Sequence, residues 1–256
     1  MPDLLQAAVA NLLSPMVLCF ALGFLAASLR SDLAVPEAVA KGLSLYLMFA
    51  IGFKGGVELS RASDVADLAR AIVLGLALSF GLPFLAFLLL RLMTALDSVT
   101  AAATAAHYGS ISVVTFMAGE AFLRAAGVAV PGSMVAVVAL METPAILSGL
   151  LLAGRGAGAG QAGPRRPAAL LREVLLNGSV VLLLGAFLIG WITGEPGMAR
   201  LQPFVVELFP GLLALFLLDL GLVAARSLRT APRLGLALPL FAWTMPPLAA
   251  ALALAG

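Results

Sequence analysis

Long apolar runs separated by short polar segments make up most of this chain. A helix that crosses a bilayer needs about 20 largely apolar residues, and these runs are too long and too continuous for the alternating pattern of a membrane barrel. The pattern predicts eight spans, over residues 12–29, 36–53, 71–90, 98–119, 132–153, 174–193, 210–225 and 234–256. We therefore predict an all-α, polytopic membrane protein.

The composition supports this class. The 256 residues are 62% hydrophobic and 11% charged, whereas soluble domains carry about 25% charged residues. The net charge of +2 gives no reason to expect nucleic acid as a partner. The sequence has no catalytic triad, no metal-ligand spacing and no Walker motif, so an enzyme is not expected.

Two halves of the chain resemble each other around a segment rich in Gly, Ala, Pro and Arg. The predicted parts are a first repeat of five spans (1–153), a linker with an interfacial helix (154–173), and the first three spans of a second repeat (174–256). Leu45–Leu59 aligns with Leu212–Leu228 when Gly52 is set on Gly221. Since five spans precede the second copy, it would be inverted in the membrane, as in many secondary transporters. The alternative is a chance alignment of similar compositions.

Counterparts of the fourth and fifth spans are absent from the second half. This indicates either a truncated chain or a partner that supplies them. Lys and Arg are more frequent on the side of the predicted topology that holds the linker. The positive-inside rule therefore predicts a cytoplasmic linker and an outside N-terminus.

The fourth predicted span has an unusual centre, His107–Thr115, which reads HYGSISVVT. Small polar residues at mid-membrane favour a broken helix, which is tolerated only where it is buried in protein or lines a cavity. The amide groups and the positive end of a half-helix attract a small anion, and hydroxyls can also accept a cation. The predicted substrate-binding residues are Gly109, Ser110, Ile111, Ser112 and Thr115. The alternative is that these small residues only let helices pack closely.

Glu142 lies at the centre of the fifth span, two residues before Pro144. A charge there costs about 2.5–3.5 kcal/mol on insertion scales, so an ion, a proton or a polar partner is expected. The predicted sodium ligands are Ser110, Ser112, Thr115 and Glu142, and the auxiliary candidates are Lys54, His107 and Asp219. The structural alternatives are a protonated or paired Glu142, a snorkelling Lys54, a packed His107, and an Asp219 close to Arg226.

Four segments in this order resemble the SbtA-like sodium-dependent bicarbonate permeases. They are Val35–Ala38 (VPEA), Ile51–Gly56 (IGFKGG), Gly109–Thr115 (GSISVVT) and Met141–Ala145 (METPA). The resemblance implies ten spans in two inverted repeats, a core domain that moves against a gate domain, a homotrimer, and in some members a PII-like regulatory partner. It implies a solute site near the broken fourth and ninth helices. Gly109, Ser110, Ser112 and Thr115 would form its first half, and Glu142 would take the acidic position before proline.

The predicted function is sodium-coupled uptake of bicarbonate by alternating access in the inner membrane, with sodium as the coupling ion and no cofactor. Transport of another small anion or organic acid, coupled to sodium or protons, is the first alternative. A non-transporting membrane subunit is the second, because the last two spans are missing.

Overall fold

The computed structural model describes residues 6, 9, 12–61, 65–112, 115–116, 119–120, 122–123, 127–128, 130–131, 134–156, 172, 176, 178–230 and 235–255. Its longer helices are α1 (Pro15–Ser28), α2 (Glu37–Arg61), α3 (Val65–Met93), α4 (Ser98–Ala106), α5 (Met134–Gly156), α6 (Gly178–Gln202), α7 (Phe209–Thr230) and α8 (Ala237–Ala255). No strand occurs among these residues, and the all-α prediction is confirmed. Most of the predicted linker, residues 157–171, lies outside them.

Five helical stretches are long and apolar enough to cross a membrane within the described part of the chain. They are Glu37–Arg61, Ala66–Met93, Met134–Gly154, Gly178–Arg229 and Ala237–Ala255. Large apolar side chains face outward, for example Leu254, which is 90% exposed, and Trp243, which is 79% exposed. Such a surface suits lipid rather than water. The chain is a multi-pass membrane protein, and the number of eight spans stays a prediction.

Helix α6 bends sharply at Gly194, where the backbone has φ +51° and ψ −139°. This conformation is almost restricted to glycine. The sequence predicts that the sixth span ends at residue 193, and it predicts no helix over residues 194–209. They instead form a second helical piece to Gln202 and a π-helix, Pro203–Glu207. Pro196 lies in the first turn after the bend, where its missing N–H removes no helical hydrogen bond.

The chain forms two compact units. The first unit consists of Met1–Ser60, Val114–Gly132 and Gly185–Pro232. The second unit consists of Arg61–Val113, Ser133–Leu184 and Arg233–Gly256.

In the first unit, α1 packs along α7 and their backbones meet at two glycines. A Cβ atom on Gly23 would overlap the carbonyl oxygen of Leu218. A Cβ atom on Gly221 would overlap the carbonyl oxygen of Phe20 and lie 2.8 Å from the amide nitrogen of Phe24. Each glycine therefore faces the carbonyl three residues before the other glycine. Small residues of this kind allow close helix contact in a membrane.

Helices α2 and α6 cross in the same manner within this unit. A Cβ atom on Gly56 would overlap the carbonyl oxygen of Phe187 and lie 2.7 Å from the amide nitrogen of Trp191. A Cβ atom on Gly190 would overlap the carbonyl oxygen of Phe53. Again each glycine faces the carbonyl three residues before its counterpart.

The matching contacts favour a particular register for the predicted repeat. They make Gly56 equivalent to Gly221, and Gly23 equivalent to Gly190. This register differs by four residues, about one helical turn, from the alignment that sets Gly52 on Gly221. It also makes Lys54 equivalent to Asp219, so two opposite charges take the same place in the two copies. The inverted repeat itself stays a prediction.

In the second unit, α3 packs against α4, α5 and α8. One core cluster of this unit comprises Leu82, Ala86, Leu90, Ala101, Ala105, Phe241 and Met245. Tyr108, just beyond the end of α4, packs edge-on against Phe241, with ring centres 5.2 Å apart. The core therefore holds the end of α4 in place.

The glycine crossings predict a clear contrast between alanine variants. Gly56→Ala and Gly221→Ala are expected to destabilise the protein by about 1–3 kcal/mol each, because the new methyl group must push two backbones apart. The midpoint of thermal unfolding of the purified protein in detergent measures the effect.

The matched controls are Gly42→Ala in α2 and Gly211→Ala in α7. A Cβ atom at either position meets nothing within 4 Å. These variants are expected to be neutral or to gain up to about 1 kcal/mol from the better helix propensity of alanine. Equal midpoints for all four variants would contradict the crossings.

Candidate functional site

Helix α4 is a half-length helix with a defined start. Asp97 caps it, since Oδ1 accepts the amide N–H groups of Val99 and Thr100, each at 3.0 Å, and Oδ2 accepts the Thr100 hydroxyl at 2.6 Å. Nine residues, Ser98–Ala106, follow the cap. At about 1.5 Å per residue they cover about 14 Å, roughly half of a 30 Å hydrocarbon core.

The chain leaves this helix through tight turns. The amide groups of His107, Tyr108 and Gly109 donate to the carbonyl oxygens of Thr104, Ala105 and Ala106 at 3.3, 3.0 and 3.1 Å. Ser110 lies in a bend, Ile111 and Ser112 are not helical, and helical conformation is present again at Thr115. The interruption therefore lies inside the segment for which the sequence predicts one.

Glycine at position 109 is a requirement of packing in the second unit. Gly109 is buried, and a Cβ atom there would overlap the carbonyl oxygen of Ser79 and lie 2.6 Å from Cγ of Pro83. Pro83 has no N–H, so it cannot donate to the Ser79 carbonyl four residues before it. Gly109 therefore packs against the turn of α3 in which Pro83 leaves the Ser79 carbonyl without its helical donor.

Ser110 and Glu142 are brought together by this arrangement. The Ser110 hydroxyl donates to Oε2 of Glu142, and both residues are half-buried. The bond joins the interruption to α5 across the second unit. A polar pair at this depth can hold an ion or a small polar solute.

Helix α5 has two further polar groups near Glu142, a carbonyl and a hydroxyl. Pro144 cannot donate to the carbonyl of Leu140, which is four residues before it. The hydroxyl oxygen of Thr143 is buried and has no hydrogen-bond partner within the described residues. Leaving such a group unsatisfied costs about 1–3 kcal/mol, so a polar guest near Thr143 would be favoured.

Helices α3 and α5 are also joined by two buried serines. The Ser79 hydroxyl donates to the carbonyl of Met141, and Ser148 Oγ lies 2.8 Å from the carbonyl oxygen of Phe80. Ser148 Oγ also lies 2.9 Å from the carbonyl oxygen of Pro144 in its own helix. The carbonyls of Met141 and Phe80 each stand three residues before the proline of their helix. The sequence analysis misses both serines, because each is a single serine within an apolar run.

Three of the other predicted residues have exposed side chains. Ser112 and Thr115 are exposed, and Thr115 belongs to the first unit whereas Ser112 belongs to the second. His107 is exposed rather than packed between helices.

Lys54 and Asp219 both belong to the first unit. The Lys54 ammonium lies 4.8 Å from the centre of the Phe209 ring and interacts with the carboxylates of Glu58 and Glu120. Asp219 is half-buried in α7. Arg226, which the sequence suggests as its neighbour, donates to the carbonyl oxygen of Leu33 at 2.9 Å.

Comparison with known proteins identifies one family. A family model described as the Na⁺-dependent bicarbonate transporter superfamily matches residues 15–256. No curated protein sequence matches the chain closely enough to count as a relative.

The cap of α4 gives a prediction with a pH dependence. Asp97→Ala is expected to lower the midpoint of thermal unfolding, because two amide groups lose their acceptor. Hydrogen bonds from the hydroxyl and the amide of Thr100 hold the pKa of the Asp97 carboxyl below its usual range. Its contribution is therefore present above the unfolded pKa of about 3.9 and is lost as the pH falls through the lower folded pKa.

Asp97→Asn is the control, because asparagine is also a good cap but does not titrate. The wild type should be more stable than Asp97→Asn at neutral pH, and the difference should shrink as the pH falls below the unfolded pKa of about 3.9. A difference that stays constant over this range would contradict the proposed role of the ionised cap.

Proposed function

Since the chain belongs to the Na⁺-dependent bicarbonate transporter superfamily, we propose that it is a secondary active transporter that takes up bicarbonate together with sodium. The observation that carries this proposal is the interrupted α4 with Ser110 bonded to Glu142. Interrupted helices at mid-membrane are where transporters of this kind bind their solutes. The same arrangement gives no chemistry for an enzyme.

The proposed anion site is the interruption itself. Backbone amides and hydroxyls of Gly109, Ser110, Ile111 and Ser112 would hold bicarbonate. The proposed sodium ligands are the carboxylate of Glu142 and the hydroxyls of Ser110 and Ser112. Thr115, which belongs to the first unit, is not part of the proposed site. The Thr143 hydroxyl, which has no partner among the described residues, supports a cation beside Glu142.

Electrostatics supplies a reason for coupling at this site. Two like charges about 4 Å apart repel by about 4 kcal/mol at an effective dielectric constant of 20. Bicarbonate near an ionised Glu142 would meet such a repulsion, and a sodium ion between them would replace it with attraction. Each solute would then raise the affinity for the other by the same factor.

The two compact units support alternating access, because that mechanism needs two bodies. We propose that the second unit, which contains Ser110 and Glu142, is the core and that the first unit is the gate. The inner membrane, a cytoplasmic linker, an outside N-terminus, a homotrimer and a PII-like partner are part of the same proposal. The distribution of Lys and Arg supports the orientation, and the resemblance supports the homotrimer and the PII-like partner.

Uptake of radiolabelled bicarbonate into proteoliposomes tests the function. The wild type should accumulate bicarbonate when an inward sodium gradient is applied. Ser110→Ala should raise the sodium concentration for half-maximal uptake by about tenfold or more, because it removes a hydrogen bond to a charged group. Glu142→Gln should abolish the response to sodium.

Thr104→Ala is the matched control, since the Thr104 hydroxyl lies on the same half-helix but donates to the carbonyl oxygen of Thr100 at 2.8 Å. It should transport like the wild type. Uptake that ignores sodium but follows a proton gradient would favour proton coupling. Equal competition by acetate would favour another anion, and a folded wild type that takes up nothing would favour a non-transporting subunit.

A further inference from the structure

One residue outside the predicted site contacts both the residue before Ser110 and the residue before Glu142. Ser79 in α3 is completely buried. Its carbonyl oxygen faces Gly109, the residue immediately before Ser110. Its hydroxyl donates to the carbonyl of Met141, the residue immediately before Glu142.

Both contacts of Ser79 lie in turns next to a proline. Because Pro83 has no N–H, it cannot donate to the Ser79 carbonyl, and the backbone of Gly109 packs against that oxygen. Pro144 leaves the carbonyl of Leu140 without its helical donor, and the Ser79 hydroxyl donates to the carbonyl of the next residue, Met141. Ser79 therefore fixes the interrupted segment and α5 relative to the same point of α3.

Ser148 offers a natural comparison. It is also completely buried, and its Oγ lies 2.8 Å from the carbonyl oxygen of Phe80 in α3 and 2.9 Å from that of Pro144 in its own helix. It lies six residues after Glu142, about 9 Å further along α5. Its contact therefore holds the helices together away from the Ser110–Glu142 pair.

We propose that Ser79 is a positioning residue that sets the geometry between the Ser110 hydroxyl and the Glu142 carboxyl, and through it the affinity for the coupling ion. Ser148 stabilises the same pair of helices without this effect. The proposal rests on the proposed function of the pair, but its geometric part can be measured without transport.

The experiment compares Ser79→Ala with Ser148→Ala in the full chain reconstituted in lipid. Infrared difference spectra between the wild type and Glu142→Gln, recorded without sodium, identify the carboxyl band of Glu142. Ser110→Ala then gives the band position when the hydrogen bond is lost. Ser79→Ala should move the band towards that position, whereas Ser148→Ala should leave it at the wild-type position.

Sodium titration of bicarbonate uptake provides the second readout. Ser79→Ala should raise the half-maximal sodium concentration by about fivefold, the usual value of one hydrogen bond, while the maximal rate changes less than about twofold. Ser148→Ala should lower thermal stability to a similar extent and leave the sodium dependence unchanged. Should Ser79→Ala not fold, Ser79→Cys replaces it, since a thiol is a weaker donor of similar size. The Glu142 band of Ser79→Cys should lie between the positions seen in the wild type and in Ser110→Ala.

A Glu142 band that stays in place in Ser79→Ala, or that moves equally in Ser148→Ala, would overturn the positioning role. If the wild type transports nothing but the band moves as expected, the positioning role stands and the proposed transport fails. If transport depends on sodium but the band and the sodium titration are the same in both serine variants, the transport proposal stands and the role of Ser79 fails.

Discussion

The constraint on which this architecture depends is that every backbone polar group inside a bilayer needs a partner within the protein. Two prolines and one interruption remove such partners in the second unit, at Pro83, at Pro144 and after Ala106. Two buried serine hydroxyls donate to carbonyls in the turns next to the prolines, and tight turns close the end of α4. The irregular backbone is thus concentrated where three elements can satisfy it together, and the polar pair lies at that point.

The first unit also has irregular backbone, at Gly194 and in the π-helix Pro203–Glu207, but its two helix crossings lie in regular helix. Its helices approach through glycines, so that contact between backbones replaces the hydrophobic effect that lipid does not provide. Four glycines carry this contact, two in each crossing: Gly23 with Gly221, and Gly56 with Gly190.

Local sequence is enough to predict the helices from their apolar runs. It also predicts the interruption of α4 and a polar position at Glu142, because each departs from the surrounding apolar pattern within a few residues. It does not predict Ser79, since the partner of its hydroxyl lies 62 residues away and its neighbours give no polar signal. The register of the repeat cannot be predicted from local sequence either. Leucine-rich helices align almost equally well one turn apart, and only the backbone contacts distinguish Gly56 from Gly52 as the counterpart of Gly221.

The position of Glu142 also bears on the order in which solutes bind in the proposed cycle. With its carboxylate ionised, the empty site carries one negative charge, and one sodium ion with one bicarbonate leaves that charge unchanged. Sodium alone neutralises the site, but bicarbonate alone doubles its negative charge in a medium of low dielectric constant. The second half-loaded state is much the more costly of the two. Sodium should therefore bind first, and the cost of the anion-only state is what would prevent bicarbonate from crossing without its coupling ion.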